Sequence, residues 1–301
     1  MTSPVFAGEK MYYPFLPDFH AAVMKKLGGS LRESFLWTGF LMACSLFGFI
    51  YLLTVRLTRS RLGGVLAILL TIFAGGMGGI NLALRDGLSR AWQVDTAQND
   101  TSGDGKIFWF QFVAHVLLPQ RGANFAYPMV LFALLLVWRA TDAAAALTHG
   151  ERRSLLVHAA AFTATLPLVQ AHAFIAGGVI IAVVFLLDAH KWAADHRMLM
   201  SWVWAGLAAA LLGGPQLALF QKHVAKGSGG SFTKMGWIYL NHDLGRERGF
   251  FGFWWMSLGP ALPLFLAAVA LFAADALQAA LLGAWVGESG GGGVPCASCA
   301  P

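Results

Sequence analysis

Long apolar segments separated by short polar ones fill most of the chain from about residue 34 onward. Several of these segments approach or exceed the roughly 20 residues that a helix needs to cross the hydrocarbon core of a bilayer. The pattern therefore predicts an all-α fold, a polytopic transmembrane helical bundle. About seven spans are predicted, at Ser34–Leu57, Leu62–Leu84, Tyr127–Leu147, Ser154–Val169, Phe174–Leu187, Leu199–Leu219 and Phe251–Leu271.

The fourth and fifth spans come from one apolar stretch that is too long for a single crossing. As one helix, Leu155–Leu187 would extend about 50 Å at 1.5 Å per residue, whereas the hydrocarbon core is about 30 Å thick. The polar residues Gln170 and His172 fall near the middle of the stretch. We therefore expect two short helices that meet at a turn.

The beginning of the chain is polar and contains a short amphipathic segment at about 18–28. Its apolar residues Phe19, Val23 and Leu27 fall on one helical face, opposite a pair of lysines. A helix of this kind lies in the plane of the membrane interface with its apolar face toward the acyl chains. The pattern therefore predicts a short interfacial helix before the first span.

The C-terminal end of the chain differs in composition from everything before it. We expect residues 1–285 to form a single transmembrane domain and the Gly-rich residues 286–301 to be a disordered tail. The contrast between the two suggests that the sequence is a fragment of a longer protein.

Composition and charge agree with a membrane protein. The chain has 301 residues, of which 57% are hydrophobic and 12% charged, about half the charged fraction of a typical soluble domain. The formal net charge of +6 arises from basic residues that lie between apolar segments, so it predicts membrane orientation and no nucleic acid partner. We expect an integral multi-pass protein of the endomembrane system or the plasma membrane, surrounded by lipids.

Basic loops assign the two sides of the membrane. Arg56–Arg61, Arg139–Arg153 and Asp188–Arg197 are short and basic, which is typical of cytoplasmic loops. The start of the chain, residues 85–124, the Gln170 turn and residues 220–249 then lie on the non-cytoplasmic side. The polar groups suited to chemistry are concentrated on that side.

Three of these polar groups have open alternatives. Asp18 is either the N-cap of the interfacial helix or a carboxylate that acts as a general base or divalent-metal ligand at the membrane surface. Arg121 either extends to the interface as an ordinary anchor or binds a phosphate through its bidentate guanidinium. His172 is either satisfied by a backbone carbonyl or functional.

The predicted site combines two roles on the non-cytoplasmic side. The cofactor is unknown, and no set of metal ligands is predicted. The candidate catalytic residues are Asp18 and His20, and the candidate substrate-binding residues are His115, Gln120, Arg121, His172 and Trp237.

Five stretches, in this order, resemble a group of multi-spanning proteins in the GT-C superfamily of lipid-linked-sugar glycosyltransferases. They are YPFLPDFHAA, FAGGMGG, HVLLPQRGANFAYP, LPLVQAHAFIA and GFFGFWWMSLGPALPLFL, and together they cover most of Tyr12–Leu266. The resemblance implies transfer of a sugar from a polyprenyl- or dolichyl-phosphate carrier to an acceptor on the non-cytoplasmic face. It implies the carrier and membrane lipids as partners, whereas protein partners are unknown.

The resemblance also suggests positions for the chemistry. Asp18 matches the acidic residue of the family's first non-cytoplasmic loop, and Phe19–Leu27 matches the interfacial helix that follows it. Arg121 suits the carrier phosphate by its position. The chain departs from the family plan because no span precedes the acidic loop and because a single acid stands where many relatives carry two.

Two other functions remain as alternatives. A non-catalytic or truncated membrane protein would show the same spans without a working site. A transporter would favour ionisable residues in mid-span, and these are nearly absent here, which makes it the weaker alternative.

Overall fold

The computed structural model describes residues 14–73, 120–142, 145–189 and 195–227, together with isolated positions between these ranges and between 249 and 270. The chain divides into two compact units, Met1–Phe73 with Gln111–Ile238, and Ala74–Phe110 with Tyr239–Pro301. The four continuous ranges all lie in the first unit. The features described below therefore belong to that unit.

The described part of the first unit is helical and contains no strand, as the sequence predicts. A 3-10 turn, Leu166–Leu168, separates the fifth helix from the sixth. The helices in chain order are α1 Leu16–Lys26, α2 Leu31–Thr58, α3 Arg61–Phe73, α4 Arg121–Thr141, α5 His149–Ala164, α6 Ala171–Leu187 and α7 His196–Gly227.

Two of the helices begin with capping boxes. The Ser30 hydroxyl accepts from the Glu33 N–H, and the Glu33 carboxylate accepts from the Ser30 N–H, at the start of α2. Thr148 and Glu151 make the same reciprocal pair at the start of α5. Each box satisfies two N–H groups that the first turn of a helix would otherwise leave unpaired.

A tight hairpin joins α2 to α3. Arg59 ends α2 in the left-handed conformation with φ 54°, and α3 begins two residues later. Gly64 lets α3 approach α2 closely, because a Cβ at this position would lie 2.6 Å from the Tyr51 ring. The short basic loop that the sequence predicts at Arg56–Arg61 is therefore a turn between two packed helices.

Helix α4 packs between α2 and α5, and its contacts show the direction in which each of them runs. It runs parallel to α2, because Asn124 contacts Gly39 and, further along, Phe132 contacts Phe49. It runs antiparallel to α5, because Arg152 in the first turn of α5 donates to Ala140 near the end of α4, whereas Phe162 near the end of α5 packs further back, on Phe132.

The remaining helices, α6 and α7, continue the alternation of helix directions. Helix α6 runs in the same direction as α4, because its start lies beside the start of α4 and, further along, Gly177 of α6 packs against Val130 of α4. At the opposite end His149 pairs with Asp195 at 3.7 Å, just before α7. We call the end of the helices where α4 starts the Arg121 end, and the opposite one the Arg152 end.

Three of the described helices are long and apolar enough to cross a membrane: Leu31–Thr58, Arg121–Thr141 and His196–Ala218 of α7. Helices α3 and α6 are apolar but shorter. Large apolar side chains of α2, such as Trp37 and Phe40, are exposed, as expected for a helix that faces lipid. The sequence predicts about seven spans, and the described helices support three of them by length and composition.

Several predicted boundaries differ from the helices. The third span was predicted at Tyr127–Leu147, yet α4 runs from Arg121 to Thr141 with Pro128 in its interior. Proline has no N–H, so the carbonyl of Asn124 loses its usual helical donor there.

Other boundaries agree more closely with the sequence. Helix α1 covers Leu16–Lys26, where an interfacial helix is predicted at about 18–28. The long apolar stretch breaks into α5 and α6 at the Gln170 turn, as expected. The Gly-rich end of the second span and the tail at 286–301 lie outside the described residues, and the span predicted at Phe251–Leu271 is described only at scattered positions.

Candidate functional site

Helix α1 holds Asp18 in its first turn. Pro17 and Ala21 are buried and form the face of α1 that packs on the other helices, whereas Asp18 is exposed. The N-cap is Phe15, because Pro17 suits the first turn and the helix begins at Leu16. The interpretation of Asp18 as N-cap is therefore wrong, and its carboxylate is available for another partner.

That partner is Arg121, the first residue of α4. Its Nη1 lies 2.5 Å from Asp18 Oδ1, and its Nη2 donates to the Pro17 carbonyl at 3.2 Å. The guanidinium carbon lies 3.8 Å from the centroid of the Phe35 ring. One cation thus joins α1, α2 and α4 through an ion pair, a hydrogen bond and a cation–π contact.

The two members of the ion pair differ in exposure. The Asp18 side chain is 59% exposed and that of Arg121 is 23% exposed. An ion pair with one member in water is worth little to stability, about 0–1 kcal/mol. Because Phe35 and Pro17 hold the guanidinium on other sides, Arg121 is fixed more firmly than Asp18.

The start of α4 adds positive character beside this pair. The N-cap is Gln120, whose exposed side chain makes no capping hydrogen bond. The first N–H groups of a helix carry a partial positive charge when no side chain caps them. The start of α4 therefore carries both the Arg121 guanidinium and the partial positive charge of a helix N-terminus.

The second predicted catalytic residue, His20, lies on the other flank of α1. Its ring packs edge-to-face on Phe125 at 5.6 Å between centroids. Residues two apart on a helix point about 200° apart, so Asp18 and His20 flank the buried stripe on opposite sides. The geometry does not bring their functional groups together, and a catalytic role for His20 stays a prediction.

The turn before α6 lies against the start of α4. A Cβ on Gly122 would come 2.8 Å from the Val169 carbonyl oxygen and 3.7 Å from Gln170 Cβ. Only glycine allows this close approach, which places Gln170 beside Gly122, the residue after Arg121. His172 follows two residues later, exposed in the first turn of α6, so it lies at the same end.

Three buried side-chain amide oxygens have no hydrogen-bond partner among the described residues, and two of them lie near the start of α4. These two are Asn124 Oδ1 and Gln170 Oε1, whereas the third, Gln216 Oε1, belongs to α7. The Asn124 Nδ2 donates to the Gly39 carbonyl at 3.1 Å, so the amide is oriented by α2. Buried acceptors of this kind are rare in proteins, and these two lie on the α2 and α6 sides of the start of α4.

Sequence reasoning found only part of this site. The structure brings together Asp18, Gln120, Arg121 and the Gln170 turn, whereas His115 and Trp237 lie outside the described residues. Phe35 and Asn124 were missed. Asn124 carried a signal, a polar residue inside the apolar segment after Arg121, but Phe35 is one of many aromatic residues and carried none.

The described residues contain no group of three or more His, Cys, Asp or Glu side chains that could hold a metal ion. No family model, curated protein or solved structure matches the chain. The resemblance to lipid-linked-sugar glycosyltransferases therefore remains a prediction from the sequence.

Proposed function

We propose that the chain is a multi-pass membrane glycosyltransferase of the GT-C type. It would transfer a sugar from a polyprenyl- or dolichyl-phosphate carrier to an acceptor at the Arg121 end, which would face the non-cytoplasmic side. The observation that carries the proposal is the contact between Asp18 and Arg121, a base and a phosphate-binding cation that are 103 residues apart in sequence.

The chemistry needs one group at each side of the sugar. Asp18 accepts the proton of an acceptor hydroxyl, whose oxygen then forms a bond to the anomeric carbon. The bond between that carbon and the carrier phosphate oxygen breaks, and the electron pair leaves with the phosphate. The Arg121 guanidinium stabilises the negative charge that develops on the phosphate, because its paired N–H groups match two phosphate oxygens.

The distribution of arginines supports the proposed orientation. Because α2 runs parallel to α4, the ends of both helices lie at the Arg152 end, together with the start of α5. That end carries a cluster of arginines, which is typical of the cytoplasmic side. The cluster consists of Arg56, Arg59, Arg61, Arg139, Arg152 and Arg153.

Cysteine labelling in sealed vesicles tests whether α2 crosses the membrane. Lys26→Cys lies before α2 and Ser60→Cys after it, in a background in which the native cysteines are replaced by alanine. A membrane-impermeant maleimide added outside should label one of the two positions and reach the other only after detergent is added. Equal labelling of both positions in intact vesicles would contradict the proposed topology.

Sugar transfer by the purified protein in liposomes tests the activity. Arg121→Lys should raise the carrier concentration needed for half-maximal rate, because lysine keeps the charge and loses the bidentate fork. The matched control is Arg32→Lys, an exposed arginine at the same end, which should behave like wild type. If wild type transfers sugar and Arg121→Lys needs the same carrier concentration for its half-maximal rate, Arg121 does not bind the carrier phosphate.

A second candidate function is structural, because the ion pair already joins α1 to α4. In that case the Asp18–Arg121 contact would only fix α1 in place. Purified protein that shows no transfer with any carrier, and that loses stability equally on removal of either charge, would favour this alternative.

A further inference from the structure

The ion pair poses a problem for the proposed function, on which this inference rests. The carboxylate that should accept a proton is bound to Arg121, and the cation that should bind the carrier phosphate is bound to Asp18. While Asp18 Oδ1 and Arg121 Nη1 contact each other, neither group is fully available to a substrate. The observed contact is thus an inactive arrangement of both groups.

We propose that the carrier phosphate displaces Asp18 from Arg121, so that binding of the donor releases the catalytic base. The Asp18–Arg121 contact is then a weak autoinhibitory pair that the anionic carrier opens by competing for Arg121. The exchange favours binding of the donor before the acceptor, because the bound carrier raises the fraction of Asp18 that is free to meet the acceptor hydroxyl.

The geometry indicates which partner moves. The Arg121 guanidinium is held by the Phe35 ring and the Pro17 carbonyl, and these contacts do not depend on the Asp18 carboxylate. Asp18 has the more exposed side chain of the pair. Its release into water therefore costs little, whereas Arg121 would lose three contacts by moving.

A phosphate gains more at this position than the carboxylate does. Its oxygens lie on a tetrahedral centre and can accept from the guanidinium fork while a further oxygen faces the uncapped start of α4. The Asp18 carboxylate contacts one guanidinium nitrogen, Nη1. Charge on the phosphate also rises as the bond to the sugar breaks, which strengthens the new pair during the reaction.

The test measures binding of dolichyl phosphate to the full chain in phosphatidylcholine nanodiscs, without any sugar transfer. Asp18→Asn should bind dolichyl phosphate about two- to fivefold more tightly than wild type, the range expected when a competing exposed ion pair is removed. Arg121→Gln should bind weakly. In the double variant Asp18→Asn with Arg121→Gln the gain should vanish, because the competition takes place on Arg121.

Two controls separate exchange from simple changes in charge. Asp195→Asn removes the same charge at the opposite end of the helices and keeps the side-chain acceptor for the Arg197 N–H, so its affinity should be unchanged. Nanodiscs that contain an excess of phosphatidylglycerol should not displace dolichyl phosphate from wild type. A thermal melt of each variant confirms that it is folded.

The inference is overturned by unchanged or weaker binding in Asp18→Asn, by tightening that persists without Arg121, or by equal tightening in Asp195→Asn. Displacement by phosphatidylglycerol would overturn the carrier as the anion. The outcome is separate from the proposed function. If Asp18→Asn binds more tightly but keeps wild-type turnover, Asp18 is not the catalytic base, although the exchange on Arg121 stands. If Asp18→Asn loses turnover without binding more tightly, Asp18 stays the catalytic base and the exchange is refuted.

Discussion

Gly122 is the position at which a single methyl group should disturb the candidate site most. Alanine there would place its Cβ 2.8 Å from the Val169 carbonyl oxygen, whereas ordinary contacts begin at 3.4 Å. The atom in the way is backbone, so the turn before α6 and the start of α4 must move apart. Overpacking of this kind costs about 1–3 kcal/mol.

A gain in helix propensity offsets part of this cost. Alanine is better than glycine in a helix by about 0.5–1 kcal/mol, so Gly122→Ala should destabilise the protein by about 1–2 kcal/mol net. The matched control is Gly178→Ala in α6, where a Cβ would meet nothing within 4 Å and only the gain remains. Denaturant unfolding in detergent, followed by circular dichroism, measures both variants.

The two results together test the packing of α4 against the Gln170 turn. Gly122→Ala should be less stable than wild type, and Gly178→Ala should be as stable or more stable. If Gly122→Ala were as stable as Gly178→Ala, the close approach of Gly122 to Val169 would be refuted. The position of Gln170 beside Gly122 would then be refuted as well.

The Arg152 end allows two further tests. The Arg152 guanidinium donates to the Ala140 carbonyl at 2.7 Å and to two other carbonyls after α4. Arg152→Gln should therefore lower the free energy of unfolding by about 1–3 kcal/mol. The control Arg153→Gln, at the exposed neighbouring position, should change it by less than about 0.5 kcal/mol. Hydrogen bonds from Thr148 lower the pKa of Glu151 below its ordinary value of 4.5. The extra stability of wild type over Glu151→Gln should therefore be fully present above pH 4.5 and should shrink as the pH falls through the lowered pKa. A difference that grows on acidification would contradict the capping box.

The sequence predicted the class of the fold and three members of the site, Asp18, Gln120 and Arg121. Apolar run lengths are enough to predict membrane-spanning helices, and alternation of basic loops is enough to place Asp18 and Arg121 on one side. Their direct contact could not be predicted, because it depends on how α1 packs against α4 across a long intervening segment.

Other errors have local physical causes. The third span was predicted to begin at Tyr127, yet α4 already begins at Arg121, because its first turns include the polar residues Arg121 and Asn124. Asp18 was weighed as an N-cap, yet the helix begins earlier, at Leu16. Phe35 could not be identified from sequence, because its role depends on the position that packing gives it next to Arg121.

The central claim is that the Asp18 carboxylate is the base of a sugar transfer, and turnover by Asp18→Asn tests it most directly. Asparagine keeps the shape and cannot accept the proton, so the rate from a dolichyl-phosphate-linked sugar in liposomes should fall about 100- to 10,000-fold while the unfolding transition is unchanged. Asp195→Asn, which loses the same charge at the Arg152 end, should keep the wild-type rate. Equal rates for Asp18→Asn and wild type would contradict the account and leave Asp18 with a structural role alone.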